Sequence, residues 1–537
     1  MTAPSYTTDL SDVTTAESIT SWTELSGHTG GGSPTQESDY FIQGSYCVSQ
    51  STGVKTGTAC GLEFDYGSNV TISAGDCFFF WIMWLAPNAI DTISNGGLRV
   101  GVGSSSGNMD FWNVGGSDFG RFPYGGWQNF AVDPTYTADY TDGSPTGSYR
   151  MFGSLPNITS AVSKGNPHGV DAIRYGRGEI KIEYGDGTNG YGTFDGIATQ
   201  NDSQSNRWGL FQEQAGAYLW KGLLSFGNST NACDFRDSNV SILIDSTPRT
   251  YSTFNKIEIN NSSSRVDWTG VSFVVVDTSQ LSRGILQVVD NADVNFDCCS
   301  FIGMDTFTFL SNSSVTNCTF QGCNEVDSGG GDFTGSKFIT PTVAADSYAV
   351  KWNSSTSPTN YLSDTYYEMG TNSHHAIYFG TSSPTDITLD GLTCAGFSSS
   401  NGQNDSTFYI ARTSGTVNIT ITNGTGNFTY KSAGATVNLS VNQVTLNIHV
   451  EDSNGSPIQY ARVGIYKESD GTQLMNEETN GNGDAVEAYT YTSDTDIKVR
   501  VRKSSASSDR YVPYSTVGTI TSSGYSLTVI LTEDPNI

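Results

Sequence analysis

Three aspartates, Asp290, Asp293 and Asp297, fall within the stretch DNADVNFD. Like charges held a few ångströms apart raise one carboxyl's pKa, which acid catalysis on a glycosidic bond requires. Aspartate is also a preferred turn residue, and a turn ladder is the reading adopted, with no catalytic residue assigned. GSSSG at 103–107 has the G-x-S-x-G spacing of a nucleophile elbow centred on Ser105. No helical pattern follows it, so it reads as a turn between strands. His374 and His375 adjoin in TNSHHAIYFG; on a strand they face opposite ways, so one is expected to pack and the other to face water. Cys318 and Cys323 lie near the vicinal pair Cys298 and Cys299, yet no C-x2-C spacing occurs. With Cys47, Cys60, Cys77, Cys233 and Cys394 the count is an odd nine, which suits reduced thiols packed in sheets of a protein made in a reducing cytoplasm. No metal and no cofactor are expected. Lys498, Arg500 and Arg502 alternate with Val499 and Val501, which puts three cations on one face of a strand. Such a stripe reads first as a charged edge strand that blocks sheet-to-sheet association. Its sharper alternative is a docking surface for an acidic neighbour, a second copy of the chain included.

The elements that carry these residues are short strands. The chain has 537 residues, 36% apolar and 12% aromatic, with 60 glycines, a composition for several all-β domains joined by turns. Its formal net charge of −28 opposes phosphate backbones and anionic lipid, so no nucleic-acid partner is expected. No Gly-Lys-Ser/Thr phosphate loop occurs. The start has neither a basic nor an apolar signal region, and the longest apolar run, CFFFWIMWLAP at 77–87, is too short to span a bilayer as a helix. It is expected to form a buried strand, and no membrane insertion is expected. Without export, the sequons at Asn157, Asn312, Asn317, Asn418 and Asn438 are expected to stay unmodified.

VDWTGVSF at 266–273 is echoed by VNFDCCSF at 294–301. Taking Phe273, Phe301, Phe320, Phe338, Tyr366 and Cys394 as anchors, the intervals are 28, 19, 18, 28 and 28 residues. Five residues before them stand Trp268, Phe296, Val315, Phe333, Tyr361 and Leu389, all apolar or aromatic. Near-periodic apolar pairs separated by Asn, Ser, Asp and Gly predict a coil that stacks like over like, with insertions as loops. Strict alternation over 445–534 predicts a separate small antiparallel sandwich.

Four domains follow: an arm or linker over 1–38 with little core of its own, a β-sandwich over 39–234, a parallel β-helix over 235–442 and a small sandwich over 443–537. The strand with Cys47, the aromatic strand, GGLRVGVG at 96–103 and GGWQNFAVD at 125–133 resemble the concanavalin-A/laminin-G type jelly roll, whose members often bind sugars. The coil resembles the right-handed parallel β-helix of tailspike and pectin-lyase proteins, a likeness that implies acidic residues on a solvent face when such proteins cut polysaccharides. GSPIQYARVGIY at 455–466 with Thr479, Asn480 and Gly483 resembles the transthyretin-like or carboxypeptidase-regulatory-like fold, which implies a structural or adhesive appendage. PTQESDYFIQG (34–44), NRWGLFQEQAGAYLWKG (206–222) and FRDSNVSILIDST (235–247) resemble structural proteins of tailed phages and prophages, notably marine ones. That resemblance implies a virion protein, assembled in a bacterial cytoplasm, on the particle exterior: a fibre, spike or capsid-decorating component for host attachment or particle stabilisation. Partners would be other virion proteins, copies of itself, a homotrimer first, and a host surface glycan. The alternatives are a tailspike-like polysaccharide depolymerase and a non-catalytic carbohydrate-binding protein.

Overall fold

The computed structural model describes residues 3–50, 57, 60–118, 126–162, 168–185, 190–202, 207–246, 250–491, 493–504 and 510–534. Gly125, Asn206 and Thr247, at the ends of stretches quoted above, lie outside them. The regular structure of the described residues is nearly all strand, with one α-helix, Phe194–Asp202. The chain forms two compact units: residues 1–344 with 349–351 and 370–372, and residues 345–348, 352–369 and 373–537.

The first unit contains two antiparallel sheets of six strands each. Phe78, Phe80, Ile82 and Trp84 from one sheet and Leu62, Val100, Val102 and Phe152 from the other meet in a single core. The ring of Phe78 stands edge-on to that of Phe152, 5.2 Å between centroids. Cys77–Trp84 is buried along its whole length, as its unbroken apolar run predicts. Its other face is covered too: Phe79 packs on Phe254, and Trp81 Nε1 donates to the Arg207 carbonyl.

The first 38 residues are woven into this architecture, not held apart as an arm. Ser5–Thr8 pairs with Glu179–Glu183, Ser11–Thr14 with His168–Gly176, Trp22–Thr29 with Cys60–Val70, and Pro34–Glu37 with Cys47–Gln50. Trp22 and Leu25 are buried. A register shift between Glu24 and Thr29 breaks the two-residue alternation there, so the Ser/Thr-rich composition hides an ordinary strand.

A parallel β-helix follows in the same unit. Each winding visits three faces in chain order. The first face stacks Asp234–Ser238, Arg265–Thr269, Asp293–Asp297 and Ser313–Thr316. The second stacks Ala217–Trp220, Ser241–Ile244, Ser272–Val275, Ser300–Ile302, Thr319–Gln321 and Lys337–Ile339. The third stacks Glu179–Glu183, Leu223–Phe226, Lys256–Ile259, Ile285–Val288, Phe307–Thr308 and Val326–Asp327. Parallel pairing therefore begins at Glu179, ahead of the expected 235. The first winding carries a long insertion with the helix and a hairpin, which conceals its period.

In-register pairing lays Trp268 on Phe296 with ring centroids 4.3 Å apart and planes 4° from parallel. Phe273 lies on Phe301, Phe301 on Phe320 and Phe320 on Phe338, at 5.9, 5.1 and 5.1 Å. These are the anchors the repeat predicts. Above the first winding, Phe194 of the helix meets Phe235, Trp268 and Phe273. Thr193 starts that helix by accepting the Gly196 amide on its hydroxyl at 3.0 Å.

The second unit contains further windings and the terminal sandwich. Asp386–Asp390, Thr416–Thr422 and Thr436–Val441 form one parallel ladder, and His375–Phe379, Phe408–Ile410 and Tyr430–Ser432 another. In the winding before them the frame shifts by one residue from the expected anchors. Leu362 and Tyr367 are fully buried, whereas Tyr361 and Tyr366 are half-exposed. The sandwich packs Asp484–Thr490, Gln443–Asp452 and Tyr525–Leu531 against a four-stranded sheet in the order Gln473–Glu478, Arg462–Lys467, Thr495–Arg502, Tyr514–Ile520. Gln443–Asp452 pairs with Tyr525–Leu531 in parallel, so the sandwich is mixed where alternation alone suggested purely antiparallel strands.

Candidate functional site

The basic stripe is not on an edge. Thr495–Arg502 pairs with Arg462–Lys467 on one side and Tyr514–Ile520 on the other, so the edge-protection reading fails. Ile497, Val499 and Val501 point into the core, while Lys498, Arg500 and Arg502 point to solvent. Register then fixes their neighbours. Arg502 lies opposite Arg462, Arg500 opposite Gly464 and Lys498 opposite Tyr466. Beyond them, Arg462 faces Glu478, Gly464 faces Asn476, and on the far side Arg500 faces Ser515.

Arg462 is engaged: its Nε donates to Asn476 Oδ1 at 2.7 Å and its Nη1 lies 3.4 Å from Glu478 Oε1. Among the described residues no carboxylate forms an ion pair with Lys498, Arg500 or Arg502. Gly464 leaves room on the sheet, and the Tyr466 ring occupies it: a Cβ on Gly464 would come within 2.8 Å of that ring. The Arg500 guanidinium carbon is 5.5 Å from the Tyr466 centroid, and Lys503 Nζ is 5.3 Å from that of Tyr460, a ring 62% exposed. Tyr460, Arg462, Tyr466, Arg500, Arg502 and Tyr514 line an open groove of about 850 Å³. Its chemistry is fixed cations beside aromatic faces, with amides and hydroxyls between.

The aspartates of the repeat sit on the first face of the coil and are tied down. Asn295 Nδ2 donates to Asp267 Oδ1 at 3.0 Å and to Asp293 Oδ1 at 2.9 Å. Arg265 Nη2 lies 2.6 Å from Asp267 Oδ2. Asp297 Oδ1 accepts from Asn317 Nδ2 at 2.9 Å, one winding on. Asp290 belongs to a turn, its Oδ1 accepting the Asn291 amide. The three therefore occupy three different local environments and do not converge on one point.

Ser105 ends the strand Leu98–Ser105 at a hairpin and accepts from Asn108 Nδ2 at 2.9 Å. His374 and His375 are both buried, contrary to the expectation that one faces water. His374 Nδ1 lies 2.9 Å from the His375 carbonyl and its ring meets Phe397 edge-on; burial lowers its pKa. His375 is held between the Ser406 carbonyl and Asp346, whose segment covers it. All nine cysteines are free, and all but Cys298 are buried. The thiols of Cys299, Cys318 and Cys323 donate to carbonyls of the preceding winding, those of Trp268, Phe296 and Phe301. Among the described residues no group of three His, Cys, Asp or Glu is placed to hold a metal ion. No helix of the described residues is long and apolar enough to cross a membrane.

Sequence reasoning missed two buried polar arrangements in the first unit. His168 lies between Ser154 Oγ at 2.9 Å and Gln50 Oε1 at 3.2 Å, a serine–histidine contact. Both side chains are wholly buried in the sandwich, so no substrate reaches them, and burial pushes the His168 pKa down to about 3. Asp171 accepts the amide of Ile42 at 2.7 Å, yet burial raises its pKa to about 7. Lone His and Asp codes on apolar strands gave no signal for either. Apart from these two, Lys221 and Asp245 form a buried ion pair of 3.1 Å.

No protein-family model matches the chain, and no curated protein matches it. Among solved structures, a xylan-binding domain from CBM 22 is similar with 14% identity and a TM-score of 0.17, over 30% of this chain and 90% of that one. The catalytic unit of a thermostable GH87 α-1,3-glucanase from Streptomyces thermodiastaticus strain HF3-3 is similar with 11% identity and a TM-score of 0.18, over 78% of this chain and 95% of that one. Scores this low bear on neither fold nor activity.

Proposed function

We propose that this chain is a non-enzymatic component of the exterior of a tailed-phage particle, a fibre, spike or capsid-decorating protein, that attaches the particle to its host or stabilises it. The observation that carries the reading is the fastening of the first-face carboxylates: Asp267, Asp293 and Asp297 serve as rungs of an Asn/Arg ladder, a scaffold's use of them. The stacked rings inside the coil support a stiff spacer, and the three segments resembling phage structural proteins supply the setting. Copies associate through covered sheet faces, a homotrimer first; light scattering of the purified chain gives three chain masses on this reading and one mass against it.

Incubation with capsule or lipopolysaccharide of the host is the functional test. The expected result is retention of polymer with no new reducing ends. New reducing ends, lost in Asp293→Asn or Asp297→Asn, would overturn the reading in favour of a depolymerase.

A further inference from the structure

Resting on the attachment reading above, we infer that the groove of the terminal sandwich is a binding site for an acidic polysaccharide, a polymer of uronate or sulfated sugars. The argument begins with position. The cationic strand is hydrogen-bonded on both sides, so its charges have no edge to protect. Arg502 and Arg462 stand directly opposite each other, a like-charge pair in which Glu478 reaches Arg462 and no carboxylate of the described residues pairs with Arg502. In a chain with 54 acidic and 26 basic residues, such a concentration is not an accident of composition.

Shape and chemistry then narrow the anion. A guanidinium fork matches a carboxylate or a sulfate in two parallel hydrogen bonds. Tyr460 and Tyr466 offer flat faces beside these cations, on which sugar rings stack through their C–H faces, and Gln473, Asn476 and Ser515 can exchange hydrogen bonds with hydroxyls. The groove volume of about 850 Å³ falls in the ~300–1,000 Å³ range of ligand sites. A run of Asp and Glu has no ring for the tyrosines. A duplex carries one charge per ~1.7 Å, a density that the acidic remainder of the chain repels. Sugars charged once per residue suit a site flanked by Glu478.

The test passes the whole chain over immobilised alginate and dextran sulfate, which separate carboxylate from sulfate, with neutral dextran, polyglutamate and single-stranded DNA alongside. The expected result is retention on one or both acidic glycans at low salt and release at about 0.5 M NaCl, where screening is short-ranged. Arg500→Ala with Arg502→Ala should weaken retention about tenfold. Tyr466→Leu should weaken it without changing its salt dependence, a split that plain ion exchange would not give. Lys337→Ala, an exposed cation on the coil, should leave it unchanged. Arg502→Ala should melt no lower than the parent, because it relieves the pair with Arg462, so a weakened variant is still a folded one. Absence from both acidic glycans, equal retention on polyglutamate or DNA, or an oligomer that dissociates when the arginines are removed would overturn the inference. Labelling of particle exteriors that persists without glycan retention would overturn the ligand alone and leave the attachment reading standing.

Discussion

In the first unit a residue with left-handed backbone turns each winding from its first to its second face: Asn239, Gly270, Cys298, Asn317 and Gly335, with φ between +54° and +72°. In the second unit Asp364, Gly391 and Asn423 do the same, and Asn442, also left-handed, leads from the last first-face strand into Gln443–Asp452 of the sandwich. Each of the first seven stands three residues before an inward anchor, which explains the vicinal cysteines: Cys298 is the exposed corner, and Cys299 the buried residue after it. Cysteine is poorly suited to that backbone, whereas Asn and Gly adopt it readily. Cys298→Asn should therefore raise stability by about 0.5–1 kcal/mol, read as a higher melting temperature; an unchanged or lower value would contradict the corner's role. The same rule locates what the sequence reading misplaced. Tyr366 and Tyr367 satisfy an aromatic pattern equally, but Asp364 three residues earlier selects Tyr367. The corner signal was present in the sequence, and apolar anchors alone could not see it. Two buried groups make a second prediction at this scale. Asp171 keeps its proton in the folded state from its ordinary 3.8 up to about 7, so its contribution to stability falls as pH rises through that window. His168 stays neutral down to about 3 while the unfolded chain takes a proton below 6.5, so its contribution falls as pH drops. Between about pH 4 and 6.5 the two oppose each other. Asp171→Asn should make the sandwich lose stability on acidification, and His168→Gln should make it gain, each approaching about 1.4 kcal/mol per pH unit relative to the parent. Denaturant midpoints against pH measure both, and parallel curves for all three proteins would refute the linkage.

At the scale of elements, the stacked rings tie each winding of the first unit to the next. Trp268 touches Phe194 above, Phe296 below and Phe273 beside it, so Trp268→Ala should cost about 3–5 kcal/mol. Trp268→Phe should stay within about 1.5 kcal/mol, because Phe296 occupies the same place one winding on and the buried indole N–H of Trp268 has no partner among the described residues. Urea melts of the two variants check this, and equal losses would mean that the stack does not set stability. The open end of the parallel coil is closed by elements of other kinds. Ser5–Thr8 and Phe211–Gln214 pair antiparallel with the first strands of two faces, and the helix lies over the first winding. Closing the end this way removes an unpaired parallel edge. This explains why the coil's beginning was illegible while its middle was plain. The repeat announces itself only where each winding sits on a like neighbour; a terminal winding is built from unlike pieces, drawn partly from residues 5–8 far away in sequence.

For the whole molecule, the net charge of −28 opposes non-specific association in dilute salt, and against it the cations gathered on the terminal sandwich stand out as the place for an anionic ligand. The all-β class, the coil and the terminal sandwich were readable from composition and periodicity, because those patterns are set by local burial. The interior position of the cationic strand was not, since alternation gives a strand its faces and says nothing about its neighbours. That one fact turns the stripe from edge protection into a binding surface. The most direct measurement of the account is gold labelling of intact particles from a lysate of the producing host, using antibodies raised against the purified chain. Labelling of intact particle exteriors, in projecting clusters, is the result the account predicts. Labelling confined to cell debris, or appearing only after particles are broken open, would contradict it.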